Sequence, residues 1–217
     1  SDVCSSDLIA RMSQTKCPFL RQLLQYLLVK LAPVILRVKP AGMLRLTNCR
    51  QLAGGRQYDL FCVHQREVME SLKLECRILR SEAGESVVLF FDRARLARAL
   101  AEPEAAEFLQ SCGYPVTQEL EPLLKELIAR CRSGREFPHE IGIFLGYPLK
   151  DVRGFIENSA ACLAVPRGLW RVAGDPAESL RVMEQYRCAE QTIQSVLERS
   201  VSFDRALSWI HRVIAAA

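Results

Sequence analysis

The 217-residue sequence lacks the short motifs that identify the common enzyme classes. It has no glycine-rich phosphate loop, no dinucleotide-binding fingerprint, no nucleophile elbow and no set of kinase motifs. Gly54-Gly55 is not followed by the Gly-Lys-Ser/Thr of a phosphate loop, and no elbow surrounds Ser133-Gly134. Familiar nucleotide-dependent and hydrolytic enzymes are therefore not indicated.

Metal-ligand spacings are also missing. The string at residues 139–143, His-Glu-Ile-Gly-Ile, lacks the second histidine of a zinc-protease helix. The nine cysteines form no Cys-x-x-Cys pair, so zinc-ribbon and iron–sulfur spacings are absent. The sequence assigns no metal and no cofactor, although a site assembled from distant His and Cys residues is left open. Beyond Cys4 the cysteines are dispersed at Cys17, Cys49, Cys62, Cys76, Cys112, Cys131, Cys162 and Cys188.

The number and surroundings of the cysteines predict reduced thiols. Their count is odd, no secretory leader is recognisable, and several lie among apolar residues, as in Leu60 to Val63. These features predict buried, reduced thiols in a cytoplasmic protein.

Long apolar runs and strong charge are absent as well. Leucines recur at helical spacing from Leu20 to Leu31, but Arg21 and Lys30 interrupt the run before it could span a bilayer. The net charge of +4 is dispersed. The densest basic cluster, Arg130 to Arg135, is typical of a solvated helix end, so we expect neither a nucleic-acid nor a membrane partner.

With 49% hydrophobic and 25% charged residues, the chain can bury a full core. Residues 1–16 are set aside as a non-native or disordered start, because Ser1 to Leu8 resembles translated adapter sequence. We predict that residues 17–217 form one helix-rich α+β domain. Its sheet is expected to be small and mainly antiparallel, with C-terminal helices over residues 175–214 packed beside it.

Hydrophobic spacing predicts the individual elements. In the N-terminal half these are a helix at residues 19–31, an extended connector at 34–38, a strand at 43–46, a helix at 58–74 and a hairpin of strands at 75–80 and 87–91. Asp92 and Thr117 are predicted to cap helices, and residues 168–172 to form a short strand. Asp175 as the cap and Pro176 as the first residue predict the start of a long helix, and the spacing at residues 203–214 predicts a terminal one.

The segment 137–157 predicts a helical hairpin. Pro138 suits a first helical position, Gly146 can end that helix, and Pro148 can start the next. His139 stands in the first turn, and two interpretations remain open for it. It is either a structural residue bonded to a nearby carbonyl or part of a ligand or catalytic site.

Four segments resemble a bacterial family known as domain of unknown function 3793. They are Lys30 to Ala41, the hairpin ending at Phe91, the block from Phe137 through Ile156, and Leu169 to Asp175. The resemblance covers nearly everything after residue 17. Leu31 stands where relatives are expected to carry a cysteine, and the stretch before Trp170 departs from the usual pattern. The resemblance implies no activity, but it marks signature positions at His139, Glu140, Tyr147 and Asp151.

Two functions of different classes are consistent with these patterns. The first is a cytoplasmic binding or regulatory module for a protein or small-molecule ligand. The alternative is an enzyme or cofactor-handling protein (redox, haem or metal) with a pocket around His139. The oligomeric state is not predicted. The catalytic candidates are His139, Glu140 and Tyr147, and the ligand-binding candidates are Lys39, Asp151, Cys162, Trp170 and Arg171.

Overall fold

The computed structural model describes residues 18–48, 56–134 and 137–216. The predictions for residues 1–16, Cys17, Cys49, Gly54-Gly55 and Arg135 lie outside these ranges. The described helices are α1 (Pro18–Lys30), α2 (Ala32–Ile35), α3 (Gln57–Leu72), α4 (Arg93–Ala101), α5 (Pro103–Ser111), α6 (Leu120–Ser133), α7 (Ile141–Phe144), α8 (Leu149–Asn158), α9 (Ala177–Arg199) and α10 (Phe203–Ala216). The strands are β1 (Ala41–Thr47), β2 (Glu75–Glu82) and β3 (Glu85–Phe91).

The three strands form an antiparallel sheet in the order β1-β3-β2. Gly84, with φ of +78°, makes the tight turn between β2 and β3. Phe91 lies opposite Ala41 on one side and Glu75 on the other. The predicted hairpin and the additional short strand are therefore confirmed, as is the α+β class.

Strand β3 supplies side chains to two hydrophobic cores, one on each face of the sheet. Val88 and Phe90 join a core with α1, α2, α3, α9 and α10. Leu89 and Phe91 join a second core with α4 to α8. Because alternate side chains of a strand point to opposite faces, this apolar run fits a central strand covered by helices on both sides, as predicted.

The prediction of an extended connector at residues 34–38 is wrong. Residues 32–35 form the short helix α2, with Pro33 in its first turn, where a missing N–H is tolerated. The backbone N–H groups of Val38 and Lys39 then both donate to the Pro33 carbonyl at 2.9 Å. The apolar side chains of Val34 and Ile35 are buried, which favours the compact turn.

The predicted hairpin at 137–157 is right in outline, but its first helix begins later than expected. Pro138 and His139 precede α7, which is only four residues long. Gly146, with φ of +71°, follows the C-cap of α7 and prevents the helix from continuing. Helix α8 begins directly after Pro148. His139 therefore lies in a turn and not in the first turn of a helix.

Three other local predictions need correction. Thr117 accepts from the Glu119 N–H at 3.0 Å, but the helix starts only at Leu120, so Thr117 is not its cap. Residues 168–172 do not form a strand; Val172 makes only an isolated antiparallel bridge to Leu163. Asp175 accepts from Ala177 N–H, whereas Pro176 occupies the N-cap position of α9. The Asp92 cap is confirmed by its bond from Arg95 N–H at 2.9 Å.

The six described cysteines are free, but not all of them are buried. Cys131 and Cys162 are buried, whereas Cys62 and Cys188 are exposed. Cys62 is exposed because it lies on the outer face of α3, while its neighbour Phe61 enters the core. In the described part of the chain, no helix is long and apolar enough to cross a membrane.

Candidate functional site

A cavity of about 280 Å³ lies between the turn before α7, the helices α7 and α8, strand β1 and the chain around Trp170. Most of its wall is apolar or aromatic. The apolar and aromatic lining residues are Met43, Phe137, Pro138, Ile141, Leu145, Tyr147, Val152, Phe155 and Trp170. Gly142 and the polar residues His139, Asp151 and Arg171 complete it.

Gly142 allows the two helices to meet closely at this wall. A Cβ atom placed there would lie 2.7 Å from Val152 Cγ2 and 3.1 Å from Tyr147 Cδ2. No side chain fits without displacing these neighbours. The glycine at this position is therefore required by the approach of α7 to α8.

Two aromatic rings form one side of the cavity. Tyr147 and Trp170 stack with centroids 4.2 Å apart and an interplanar angle of 19°. Burial raises the pKa of the Tyr147 phenol, so this hydroxyl stays protonated at neutral pH. The pair forms a flat, preorganised surface beside the apolar wall.

Asp151 is buried under this stack and accepts four hydrogen bonds. Its donors are the Lys150 ammonium (2.8 Å), the Trp170 indole N–H (2.7 Å), the Ser179 hydroxyl (2.6 Å) and the Ala173 N–H (2.9 Å). Burial alone would raise the pKa of Asp151, but these hydrogen bonds outweigh it and hold the pKa below its ordinary value. The carboxylate is therefore ionised and fully engaged at neutral pH.

Lys150 is similarly engaged. Besides Asp151, its ammonium lies 2.8 Å from Ser179 Oγ and donates to the carbonyls of Ala173 and Asp175 at 3.0 and 2.9 Å. The Lys150–Asp151 pair thus joins α8, the loop at 173–175 and the start of α9. We interpret it as a structural clamp that fixes the position of Trp170.

His139 lies at the exposed rim of the cavity. Its ring meets Phe155 edge to face, with centroids 4.9 Å apart. Within the described residues, neither ring nitrogen makes a hydrogen bond. His139 is thus placed by an aromatic contact and keeps both nitrogens available.

Arg171 is the second polar residue at the rim. Its Nε and Nη2 atoms donate to the Cys162 carbonyl at 3.2 and 2.7 Å. Its remaining nitrogen, Nη1, has no hydrogen bond in the described ranges. One positive charge therefore stands beside the cavity without an acidic partner there.

Glu140 points away from the cavity. It accepts from Arg130 Nη1 at 3.1 Å and from the Tyr114 hydroxyl at 3.5 Å, on the side of the second core. The structure therefore separates Glu140 from His139, its neighbour in the sequence.

Lys39 lies behind Tyr147 and outside the cavity lining. Its ammonium is 5.5 Å from the Tyr147 ring centroid and 5.1 Å from that of Tyr186, in positions suited to cation–π contacts. Burial lowers the pKa of Lys39 to about 8, although Glu190 acts in the opposite direction.

Cys162 also lies outside the cavity lining. Its buried thiol is 3.7 Å from the Asn158 carbonyl, and only its backbone carbonyl takes part, through Arg171. Of the eight candidates, the cavity brings together His139, Tyr147, Asp151, Trp170 and Arg171.

Sequence reasoning missed Lys150, Ser179 and most of the apolar wall. Phe155 could have been found, because it shares the apolar face of α8 with Val152. Lys150 offered no signal, since a lysine within an amphipathic helix is normally solvated. Its hydrogen bonds are made to carbonyls that lie more than twenty residues away in the sequence.

Comparison with protein families gives one informative result. The family model described as "Protein of unknown function (DUF3793)" matches residues 27–207. The chain belongs to this family. The DUF3793 match spans the sheet, the cavity and the Asp151 cluster. Comparisons with curated proteins and with solved structures gave no match.

No metal centre accompanies the cavity of this DUF3793 protein within the described ranges. No three His, Cys, Asp or Glu side chains converge there as a metal-binding group.

Proposed function

We propose that the protein is a small-molecule binding module whose ligand is an aromatic acid held in the 280 Å³ cavity. The observation that carries this proposal is the composition of the wall. It is almost wholly apolar and aromatic, and His139 and Arg171 at its rim keep nitrogen donors that no other described residue engages. Such a wall binds an apolar body and recognises one polar group.

The cavity volume limits the size of the ligand. An apolar cavity of about 150 Å³ accommodates benzene, so a cavity of 280 Å³ suits a ring bearing a short substituent. The aromatic side chains of Phe137, Tyr147, Phe155 and Trp170 in the lining favour an aromatic ligand. An aryl carboxylate of about ten to twelve heavy atoms fits these limits.

The charge at the rim favours an acidic group. Arg171 retains one donor, and its charge is not neutralised at the cavity because Asp151 is already paired with Lys150. A guanidinium donor binds a carboxylate more strongly than a neutral acceptor. His139 can donate a second hydrogen bond from either ring nitrogen.

The enzyme or cofactor-handling alternative has less support. His139 is available to accept or donate a proton, but neither neighbouring carboxylate can act with it, because Asp151 already accepts four hydrogen bonds and Glu140 lies on the side of the second core. The six free cysteines support a reducing, cytoplasmic setting, and the family resemblance supports a bacterial one.

Calorimetric titration with trans-cinnamate tests the proposal, with the neutral cinnamamide as its partner probe. Trp170 also reports binding by fluorescence in a Trp209→Phe variant, since the sequence has only two tryptophans. We expect cinnamate to bind more tightly than cinnamamide and to change Trp170 emission. Failure of cinnamate and of a panel of aryl acids, amines and alcohols to bind would overturn the proposal.

Arg171→Gln separates recognition of the acid from binding of the ring. The affinity for cinnamate should fall about tenfold, while that for cinnamamide should change little. Arg181→Gln is the matched control, because Arg181 is exposed on α9 and makes no ion pair in the described ranges. Equal losses in the two arginine variants would contradict a direct role for Arg171.

A further inference from the structure

A second groove, of about 660 Å³, lies between α9 and α10 and is far more polar than the first. Three arginines line it: Arg199, Arg205 and Arg212. Among the described residues, no acidic side chain lines it. The remaining lining residues are Cys188, Gln191, Thr192, Ser195, Val196, Ser200 and Trp209.

Helical periodicity explains why these residues share one groove. On α9 the lining positions run from Cys188 to Arg199 at intervals of three and four, which places them on one face. On α10 the positions Arg205, Trp209 and Arg212 follow the same spacing. The short connection at residues 200–202 folds α10 back so that the two faces meet.

The charges of this groove are not neutralised within the described ranges. None of its three guanidinium groups forms an ion pair or a hydrogen bond there. Other arginines do: Arg93 binds Glu75 and Glu121, and Arg130 binds Glu126 and Glu140. Three like charges beside one groove repel each other, and an anion bound between them removes that repulsion.

We propose that this groove is a binding site for an oligophosphate, either inorganic or carried by a nucleoside. Guanidinium groups match phosphate oxygens in geometry and charge. The hydroxyls of Ser195 and Ser200 make no other hydrogen bond among the described residues and can donate to further oxygens. The groove therefore supplies charge and neutral donors together.

The spacing of the arginines favours several phosphates over one. Arg205 and Arg212 are seven residues apart on α10, or about 10 Å along the helix axis. A chain of three phosphates can extend between them and contact both guanidinium groups, whereas a single phosphate would require the two side chains to converge. Trp209 lies between the two and could stack a base if a nucleoside is attached.

Calorimetry on the full chain with inorganic triphosphate, ATP and orthophosphate tests this site, each with and without Mg²⁺. We expect triphosphate to bind at least tenfold more tightly than orthophosphate. Raising the salt from 50 to 200 mM should weaken binding, because the contacts are exposed charges.

Variants of the arginines assign any binding to the groove. Arg205→Gln and Arg212→Gln should each weaken triphosphate binding about tenfold, whereas Arg181→Gln, near the other end of α9, should not. Thermal melts confirm that the variants are folded. Lack of triphosphate and ATP binding, or binding equally weakened by Arg181→Gln, would overturn the proposal.

The ATP titration identifies the source of the phosphates. Tighter binding of ATP than of triphosphate, with the difference removed by Trp209→Leu, indicates a nucleoside ligand. Equal affinities that do not depend on Trp209 indicate inorganic oligophosphate. Both results support the site, and the outcome does not depend on the aromatic-acid cavity.

Discussion

Helix α9 has a polar region at each end. The charged groups are paired in the first region and unpaired in the second. At its start, Ser179 joins the buried Asp151 carboxylate and the half-buried Lys150, whose charged atoms all have partners. At its end, Arg199 lies in a groove with Arg205 and Arg212, and none of the three guanidinium groups has a partner in the described ranges. Removing one member of a pair that includes a buried charge destabilises the fold, whereas unpaired, exposed charge is available to a ligand.

The largest expected effect comes from breaking the paired region. Asp151→Ala leaves the Lys150 ammonium without its counter-charge and leaves Trp170 and Ser179 without their acceptor. We expect the free energy of unfolding to fall by about 3–5 kcal/mol, measured by urea denaturation at pH 7. Asp204→Ala, a carboxylate with no ion pair in the described ranges, serves as the control. A loss below 1 kcal/mol for Asp151→Ala would contradict the clamp.

The second-largest expected effect comes from disturbing the close packing of α8 against the loop at residues 173–175, which forms part of the clamp. A Cβ added at Gly154 would overlap the Ala173 Cβ. We expect Gly154→Ala to destabilise the protein by about 1–3 kcal/mol in the same assay, despite the higher helix propensity of alanine. The double variant Gly154→Ala/Ala173→Gly should recover most of this loss. If it does not, the close contact is not the cause.

Lys39 gives a pH-dependent test of a third kind of charge, since its half-buried ammonium lies over the rings of Tyr147 and Tyr186 and forms no ion pair in the described ranges. Its folded pKa of about 8 lies below the unfolded value of 10.5, so the unfolded chain binds more protons between these values. Stability from this group is therefore reduced below pH 8 and recovered as the pH rises toward 10.5.

The measurement compares wild type with Lys39→Met by urea denaturation from pH 7 to pH 9.5. The wild type should gain about 1–2 kcal/mol relative to the variant across this range. Lys125→Met, an exposed lysine on α6, should show no such difference. A pH-independent difference between wild type and Lys39→Met would show that the pKa of Lys39 is not lowered.

The smallest expected change in unfolding free energy is that for an unpaired arginine, which is compared with a paired one. Arg205→Gln should change the unfolding free energy by no more than about 0.5 kcal/mol, because it removes only repulsion within the groove. Arg130→Gln, which loses bonds to Glu126 and to the buried Glu140, should cost about 1–3 kcal/mol. Parallel melts of the two variants test the contrast, and a larger loss for Arg205→Gln would reverse it.

The order of elements was predictable where one local pattern dominated. The run Val87 to Phe91 is too apolar for an exposed strand, and the leucines of α1 repeat with helical spacing. The connector at 34–38 was mispredicted because two prolines suggested an extended chain, whereas burial of Val34 and Ile35 favoured a turn of helix. Local propensity was overridden there by packing.

The site was less predictable than the fold because it depends on contacts distant in sequence. His139 and Tyr147 were candidates as signature positions of the family resemblance, and Trp170 lies in another segment that carries it; the fold brings all three to one cavity. Glu140 was a further signature position, but its partner Arg130 lies on α6, away from the cavity. Nothing in the sequence indicated that α10 folds back onto α9 and brings Arg205 and Arg212 beside Arg199.

The central position of β3 has a consequence for hydrogen exchange. Both of its edges are paired, to β1 and β2, and Val88 to Phe91 are inaccessible on both faces. Its amides can therefore meet solvent only when the sheet separates or both helical layers leave it. The slowest-exchanging amides should cluster in this strand, and their protection measures the global stability of the protein.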